Sequence, residues 1–467
     1  MTSIPHPLAS AAAWRPRHPL LVTRDEVISA IELEDRVARV AGGLQAQCVQ
    51  ANDVVAVAGV PGAPFVVTML AVSWLGATAL LLDSRSPRAE LLRKLRAAGV
   101  RRVVGIDALD PDFESLSVAP RHPAPERFWP LDETRFLIAT SGSTGEPKLV
   151  SLKTSQLVFS AFGSALRLGH DPQDRWLCCL PLEHIGGLSV LLRCLFYGTT
   201  AVLHERFEAR SVADSLDSGA VTLVSLVPTM LERVLDARIE SGTDRPFHER
   251  LRAILLGGAP ASDRLIERAK RILAPVAVTF GMSEAASQIA TSDPGDMTPG
   301  LPPLAFARVA VAADGTLVVK GPLVDEELST SDLVELVDGR VLVRGRVGDL
   351  INSGGTKIDP RTVEAALGAH PAVVAALVFG VDDVELGQAP AALVVTSTPV
   401  SASDLQTHCA SIISRRAIPK IIERVETIPL GPSGKPSRRL ARESLGQFIG
   451  SLKSDLKCPA SGGDQNV

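Results

Sequence analysis

The run Val54-Val-Ala-Val-Ala-Gly-Val-Pro-Gly-Ala-Pro-Phe-Val-Val-Thr-Met-Leu-Ala-Val-Ser-Trp-Leu-Gly-Ala-Thr-Ala-Leu-Leu-Leu82 contains no charged residue. Its length would cross a bilayer, so its punctuation decides what it is. Gly59, Pro61, Gly62 and Pro64 break it early and Gly76 breaks it late. That leaves a strand over 54–58, a helix over 65–75 and a strand over 78–82. A β-α-β unit whose strands are apolar throughout belongs in a parallel sheet covered on both faces, not in a membrane.

The alternation extends to either side. Residues 31–47 repeat apolar positions at helical spacing (Leu33, Val37, Val40, Ala41, Leu44), 88–98 read as a helix and 102–105 as a strand. Strand and helix then alternate from 155 to 279, which predicts an α/β fold built on doubly wound sheets. Between 306 and 344 the texture changes to short β-rich runs separated by Asp-Gly turns at 314–315 and 338–339, a small β subdomain. From 348 onward a compact α+β unit follows: helix 362–369, strands 373–381 and 391–396, helix 402–415 and strand 420–426. The expected division is an N-terminal domain over 1–347, its β subdomain starting near 300, a C-terminal domain over 348–445 and a disordered tail over 446–467.

Composition narrows the classes. Hydrophobic residues make up 46% of the 467 and charged residues 21%, the balance of a globular chain with ample core. With 48 basic against 52 acidic residues, nothing favours nucleic acid or a membrane surface as partner. The six cysteines form no C-x-x-C pair, and residues 1–10 lack a secretory signal, so a reduced, cytoplasmic setting is expected. Oligomeric state stays open, a homodimer included.

Between two β-α units lies Phe136-Leu-Ile-Ala-Thr-Ser-Gly-Ser-Thr-Gly-Glu-Pro-Lys-Leu149. Residues 136–139 read as a short buried strand. Thr140, Ser141, Gly142, Ser143, Thr144 and Gly145 then offer hydroxyls and close backbone approach to an anion, and Lys148 adds a mobile positive charge. Glu146 and Pro147 separate the second Gly from Lys148, which departs from the G-x-x-x-x-G-K-[ST] loop and disfavours a P-loop kinase or GTPase. Taken alone, the stretch is as readily a polar surface loop.

Six further places could carry chemistry. His184, in Leu180-Pro-Leu-Glu-His-Ile-Gly-Gly-Leu188, follows a strand and precedes a helix, the place where ligands gather in open α/β sheets, though a structural His fits as well. Gly257, Gly258 and Ala259 make a turn on which a flat ring could lie. In Thr279-Phe-Gly-Met-Ser-Glu-Ala-Ala-Ser-Gln288 the one carboxylate is Glu284; a single carboxylate facing substrate phosphates suffices for Mg²⁺, and a solvated surface Glu is the alternative. Asp332 reads either as a ribose acceptor or as a turn or helix cap, and Lys435 as a lysine on a flexible loop. Arg193 is the only charge in an apolar helix over 188–197, so it either escapes to solvent or meets an anion.

In combination and in this order, the segments resemble the adenylate-forming superfamily of acyl-CoA synthetases, luciferases and amino-acid adenylation domains, over residues 14–445. The resemblance implies a mobile C-terminal domain and two half-reactions: ATP and an acid give an acyl-adenylate, and the acyl group passes to a thiol, commonly CoA. It implies that Thr140 to Lys148 hold the β- and γ-phosphates and that Gly257, Gly258 and Ala259 line adenine. Thr279, Phe280, Gly281, Met282 and Ser283 would also face the nucleotide, Asp332 and Arg346 the ribose, and Glu284 Mg²⁺. Lys435 would serve adenylation, while Gly354 and Gly355 would line the CoA pantetheine path.

Length and the runs 182–193 and 281–290 are most similar to ligases that join o-succinylbenzoate to CoA. That likeness assigns the acid, an aromatic dicarboxylate, to His184, Arg193, Gly281 and Ser287. Other aryl- or acyl-CoA ligases remain the alternative, ahead of carrier-linked amino-acid adenylation or a silent binding protein. Phe280, Ser283, Ser331 and Ser433 depart from the usual Tyr, Thr, Gly and Thr, and Gly348 occupies the hinge position. None of these removes a charged group of the expected site.

Overall fold

The computed structural model describes residues 2–106, 110–141, 147–431 and 435–455, with Ser141 and 447–455 described by their backbone alone. Two compact units divide the chain: Met1–Thr330 with Glu335–Leu342, and Ser331–Val334 with Val343–Val467.

In the first unit the uncharged run forms strand Val54–Gly59, helix Ala63–Trp74 and strand Thr78–Asp83, and the two strands pair in parallel. They lie inside a six-stranded sheet ordered Pro147–Lys153, Thr134–Ser141, Thr78–Asp83, Val54–Gly59, Arg102–Val104, Glu114–Leu116. A second sheet has eight strands, ordered Ser287–Thr291, Val276–Met282, Ala253–Leu256, Leu223–Leu226, Arg175–Cys178, Thr200–Leu203, Pro19–Val22, Val27–Ser29. Its inner strands are parallel and its two edge strands antiparallel. Leu33, Val37 and Leu44 of helix Ala30–Gln45, Val66 and Leu70 of Ala63–Trp74, and Leu188 and Leu192 of Ile185–Tyr197 share one buried core with strands of both sheets. Among the described residues no helix is long and apolar enough to cross a membrane.

Two differences from the sequence reading bear on the site. The stretch after Thr134–Ser141 does not run from loop to helix. It returns as strand Pro147–Lys153, antiparallel to the first, with Ser141 opposite Pro147. Val150 and Leu152 are buried with exposed Ser151 between them, the period-two pattern of a half-buried edge strand. Asp332 sits in strand Leu328–Val337 rather than in a turn or cap.

The second unit carries a five-stranded sheet flanked by helices Pro360–Gly368, Ala402–Ala410 and Arg438–Asp455. Val378, Ala392 and Val394 face the core built with the first two helices, while Leu377, Phe379, Ala391 and Leu393 alternate to the other face and pack on Ala441 and Leu445. The last helix occupies the beginning of the segment expected as a tail; 456–467 lie outside the described residues.

Candidate active site

The carboxyl ends of the inner strands gather the first group of residues. After Ala253–Leu256, Gly257 comes so near the neighbouring strand that a Cβ there would stand 2.5 Å from Thr279 Cγ2, and Gly258 adopts φ 84. Only glycine allows both the approach and the turn. Thr279 is fixed by its hydroxyl, 2.7 Å from Thr291 Oγ1, and Phe280, Met282 and Ser283 are half-buried beside it.

The chain then makes a strained turn. The pairing between Val276–Met282 and Ser287–Thr291 slips between Phe280 and Gly281, and a Cβ on Gly281 would fall 1.6 Å from the Ser287 carbonyl oxygen. Ala286 (φ 49) and Ser287 (φ 111) both sit at positive φ, where side chains are disfavoured. Helix Thr154–Leu168 holds this turn. Ser160 Oγ donates to the Ala286 carbonyl at 2.6 Å, and Gln156 Nε2 donates to the carbonyls of Glu284 (3.2 Å) and Leu323 (3.3 Å). Sequence reasoning missed both residues: Gln156, in the first helical turn, reads as a cap, and Ser160, in mid-helix, gives no local sign of a partner 126 residues away.

The turn carries Glu284 to the hairpin. Lys148 Nζ donates to Glu284 Oε1 at 2.5 Å, and Thr140 Oγ1 donates across the hairpin to the Lys148 carbonyl at 3.1 Å. Thr140, Lys148 and Glu284 are therefore one constellation. Gly142, Ser143, Thr144 and Gly145 lie outside the described residues, as does the side chain of Ser141.

A second group surrounds helix Ile185–Tyr197. His184 is its N-cap in extended conformation, and its carbonyl accepts from Leu188 N at 3.0 Å. One turn before Arg193, Ser189 places its hydroxyl 3.4 Å from Ser287 Oγ, which ties this helix to the strained turn. Arg193 is 2% exposed, and its guanidinium stands 5.5 Å from the Trp176 ring centroid. The Trp176 indole N–H donates to Ser225 Oγ at 3.0 Å, so the ring is locked. Arg193 Nε and Nη2 are buried with no hydrogen-bond partner among the described residues, and burial lowers the arginine's pKa, opposed by Tyr197 and Cys194.

In the second unit, Asp332 and Arg346 form an ion pair at 3.2 Å. Burial raises the Asp332 pKa, opposed first by Arg346 and then by Arg361. Desolvation and then the like charge of Arg346 lower the pKa of Lys435, so those three residues belong together. Gly354 and Gly355, at φ 55 and 81, make the two-residue turn between strands Ile351–Ser353 and Thr356–Ile358, and Arg416 donates to the Gly354 carbonyl at 3.0 Å.

The profile of AMP-binding enzymes matches residues 8–327, and that of the AMP-binding enzyme C-terminal domain matches 362–435. The chain belongs to the AMP-binding enzyme family. Among similar members, the 2-succinylbenzoate–CoA ligase of Listeria monocytogenes is 32% identical over 456 residues, covering 92% of this chain and 97% of the relative. The o-succinylbenzoate CoA synthetase of Bacillus subtilis, solved with the acyl-adenylate intermediate OSB-AMP, is 32% identical; it matches with a TM-score of 0.86 over 95% of this chain and 99% of its own. The same enzyme solved with ATP and magnesium ion matches with a TM-score of 0.85 at 32% identity, over 94% and 100% of the two chains. This AMP-binding enzyme thus has their α/β fold, with a large N-terminal and a small C-terminal part.

Proposed function

We propose that this enzyme is an ATP-dependent acid–CoA ligase that activates o-succinylbenzoate as its acyl-adenylate and transfers the acyl group to CoA, releasing AMP and pyrophosphate. Arg193 carries the choice of acid. Three arginines are buried among the described residues. Arg135 meets Glu133 and the Gly76 carbonyl, and Arg238 forks onto Asp217 at 2.8 and 2.9 Å. Arg193 alone of the three leaves two nitrogens unmatched, on a helix that begins at His184 and touches Ser287. o-Succinylbenzoate has one carboxylate to activate and another to hold away from the phosphates, and a fixed guanidinium fork is suited to the second. The similar 2-succinylbenzoate–CoA ligases support the same acid.

In the first half-reaction a carboxylate oxygen attacks the α-phosphorus and pyrophosphate leaves. Lys148 and the hairpin around Thr140 neutralise the leaving phosphates, while Gly257 to Ala259 and Thr279 to Ser283 seat the adenine side. Asp332 and Arg346 take the ribose. Glu284, a hard oxygen donor already poised against Lys148, fits Mg²⁺ entering with ATP. The ion would draw off charge that develops on the phosphate oxygens. Lys435 acts in adenylation, and Gly354 and Gly355 act in the transfer to CoA. ATP and CoA as substrates place the reaction in the cytoplasm.

The test is pyrophosphate exchange, with and without magnesium, across o-succinylbenzoate, benzoate, medium-chain fatty acids and amino acids. Exchange should be magnesium-dependent and highest with o-succinylbenzoate. Stronger exchange with a monocarboxylate would overturn the acid and leave the ligase standing; exchange with none would overturn both.

A further inference from the structure

The eight-stranded sheet has a second rim. Its parallel strands Pro19–Val22, Thr200–Leu203, Arg175–Cys178 and Leu223–Leu226 begin on one side, whereas His184, Gly257 and Phe280 follow or end such strands on the other. At the amino ends lies a cavity of about 400 Å³, lined by His18, Gln173, Arg175, Thr200, Gly219 and Arg250 among others.

Its lining is basic and uncompensated. Arg175 donates Nε to the Ala220 carbonyl at 2.7 Å, and its terminal nitrogens have no partner among the described residues; nor does the Arg250 guanidinium. The Thr200 hydroxyl donates to the Pro19 carbonyl at 2.6 Å, so at 3.2 Å the His18 Nε2–H donates to Thr200. Burial, then Arg15 and Arg175, hold His18 down at about 4, and burial, then Arg250, lower Arg175; no acidic side chain enters either balance. Capping of carbonyls accounts for Arg15, on Pro172 and Gly198, and for one nitrogen of Arg175. It accounts for neither the rest of Arg175 nor Arg250. Arginines next in the chain or the fold are paired instead: Arg252 donates Nε to Asp174 at 2.7 Å, and Arg238 Nε to Asp217 at 2.8 Å.

We propose that this cavity binds a small multivalent anion, a carboxylate- or phosphate-bearing metabolite, through the free faces of Arg175 and Arg250 with Gln173 at its edge, separately from the acyl-adenylate site. Such an anion would relieve the mutual repulsion of the two guanidinium groups and match their fork geometry.

Calorimetric titration of the full chain at low salt tests this, with citrate as the polycarboxylate probe and glycerol 3-phosphate as the phosphate ester. At least one should bind saturably, and which one does identifies the ligand chemistry. Arg250→Gln, at an exposed position, should weaken that binding roughly tenfold or more while keeping the melting temperature and probe-free pyrophosphate exchange. Arg193→Met should leave it intact. Saturable binding of neither probe overturns the proposal. So does binding indifferent to Arg250→Gln, or binding lost in Arg193→Met, which would place the probe in the acid pocket.

Discussion

Arg193 illustrates how one residue selects between two readings that the sequence leaves equal. A guanidinium in an apolar helix can snorkel to water, but this one is 2% exposed and pinned over Trp176. The aromatic face returns roughly 1 to 2 kcal/mol, against a desolvation cost of several kcal/mol for a buried ion. An arriving carboxylate would complete the balance. Truncating one partner of a desolvated charge pair costs about 2 to 5 kcal/mol, so Arg193→Ala should lower kcat/KM for o-succinylbenzoate by roughly 30-fold or more. For any monocarboxylate aryl acid that is accepted, the loss should be much smaller. Steady-state kinetics on both acids separate the cases: a uniform loss would make Arg193 a structural residue, and no loss would remove it from the site.

At the scale of elements, the parallel β-α-β units were legible because strands buried on both faces are apolar throughout, and Gly and Pro mark their ends. Strand Pro147–Lys153 was not, because one face is wet and its short alternation follows a loop that resembles a helix entry. Strand Leu328–Val337 was hidden for the same reason, with Asp332 in its middle. Glu284 and Lys148 could be named from sequence, but not their contact, which depends on Gln156 and Ser160 holding a turn 128 and 126 residues away. That turn makes a sharp prediction. Gly281→Ala puts a methyl group 1.6 Å from the Ser287 carbonyl oxygen, and since the obstacle is backbone, the turn must open. Glu284 and Ser287 would shift together, so pyrophosphate exchange should fall by about 100-fold or more, as misplacements near 1 Å do, while the melting temperature falls. An active Gly281→Ala enzyme would show that the turn is not the scaffold of Glu284.

At the scale of the molecule, the two units carry separate buried clusters that share no residue, Leu8 to Ala286 supplying those of the first and Ile351 to Leu445 those of the second. Parts so built can move as bodies, and the two half-reactions call for different residues of the second unit. In the proposed function Lys435 serves adenylation and Gly354 and Gly355 serve transfer, and on that proposal Lys435→Ala should lose most acyl-adenylate formation yet still pass a preformed acyl-adenylate to CoA. Equal loss of both steps would sink the division of labour. The charge on Lys435 adds a pH signature. Desolvation first, and then Arg346, depress its pKa below the ordinary 10.5. The ammonium is present below that depressed pKa and is lost as pH rises through it, so adenylation should fall on an alkaline limb lying below the usual lysine range. Arg346→Ala removes the like charge and should move that limb to higher pH, whatever it does to the height of the profile. A limb that stays in place in Arg346→Ala, or persists in Lys435→Ala, would belong to another group.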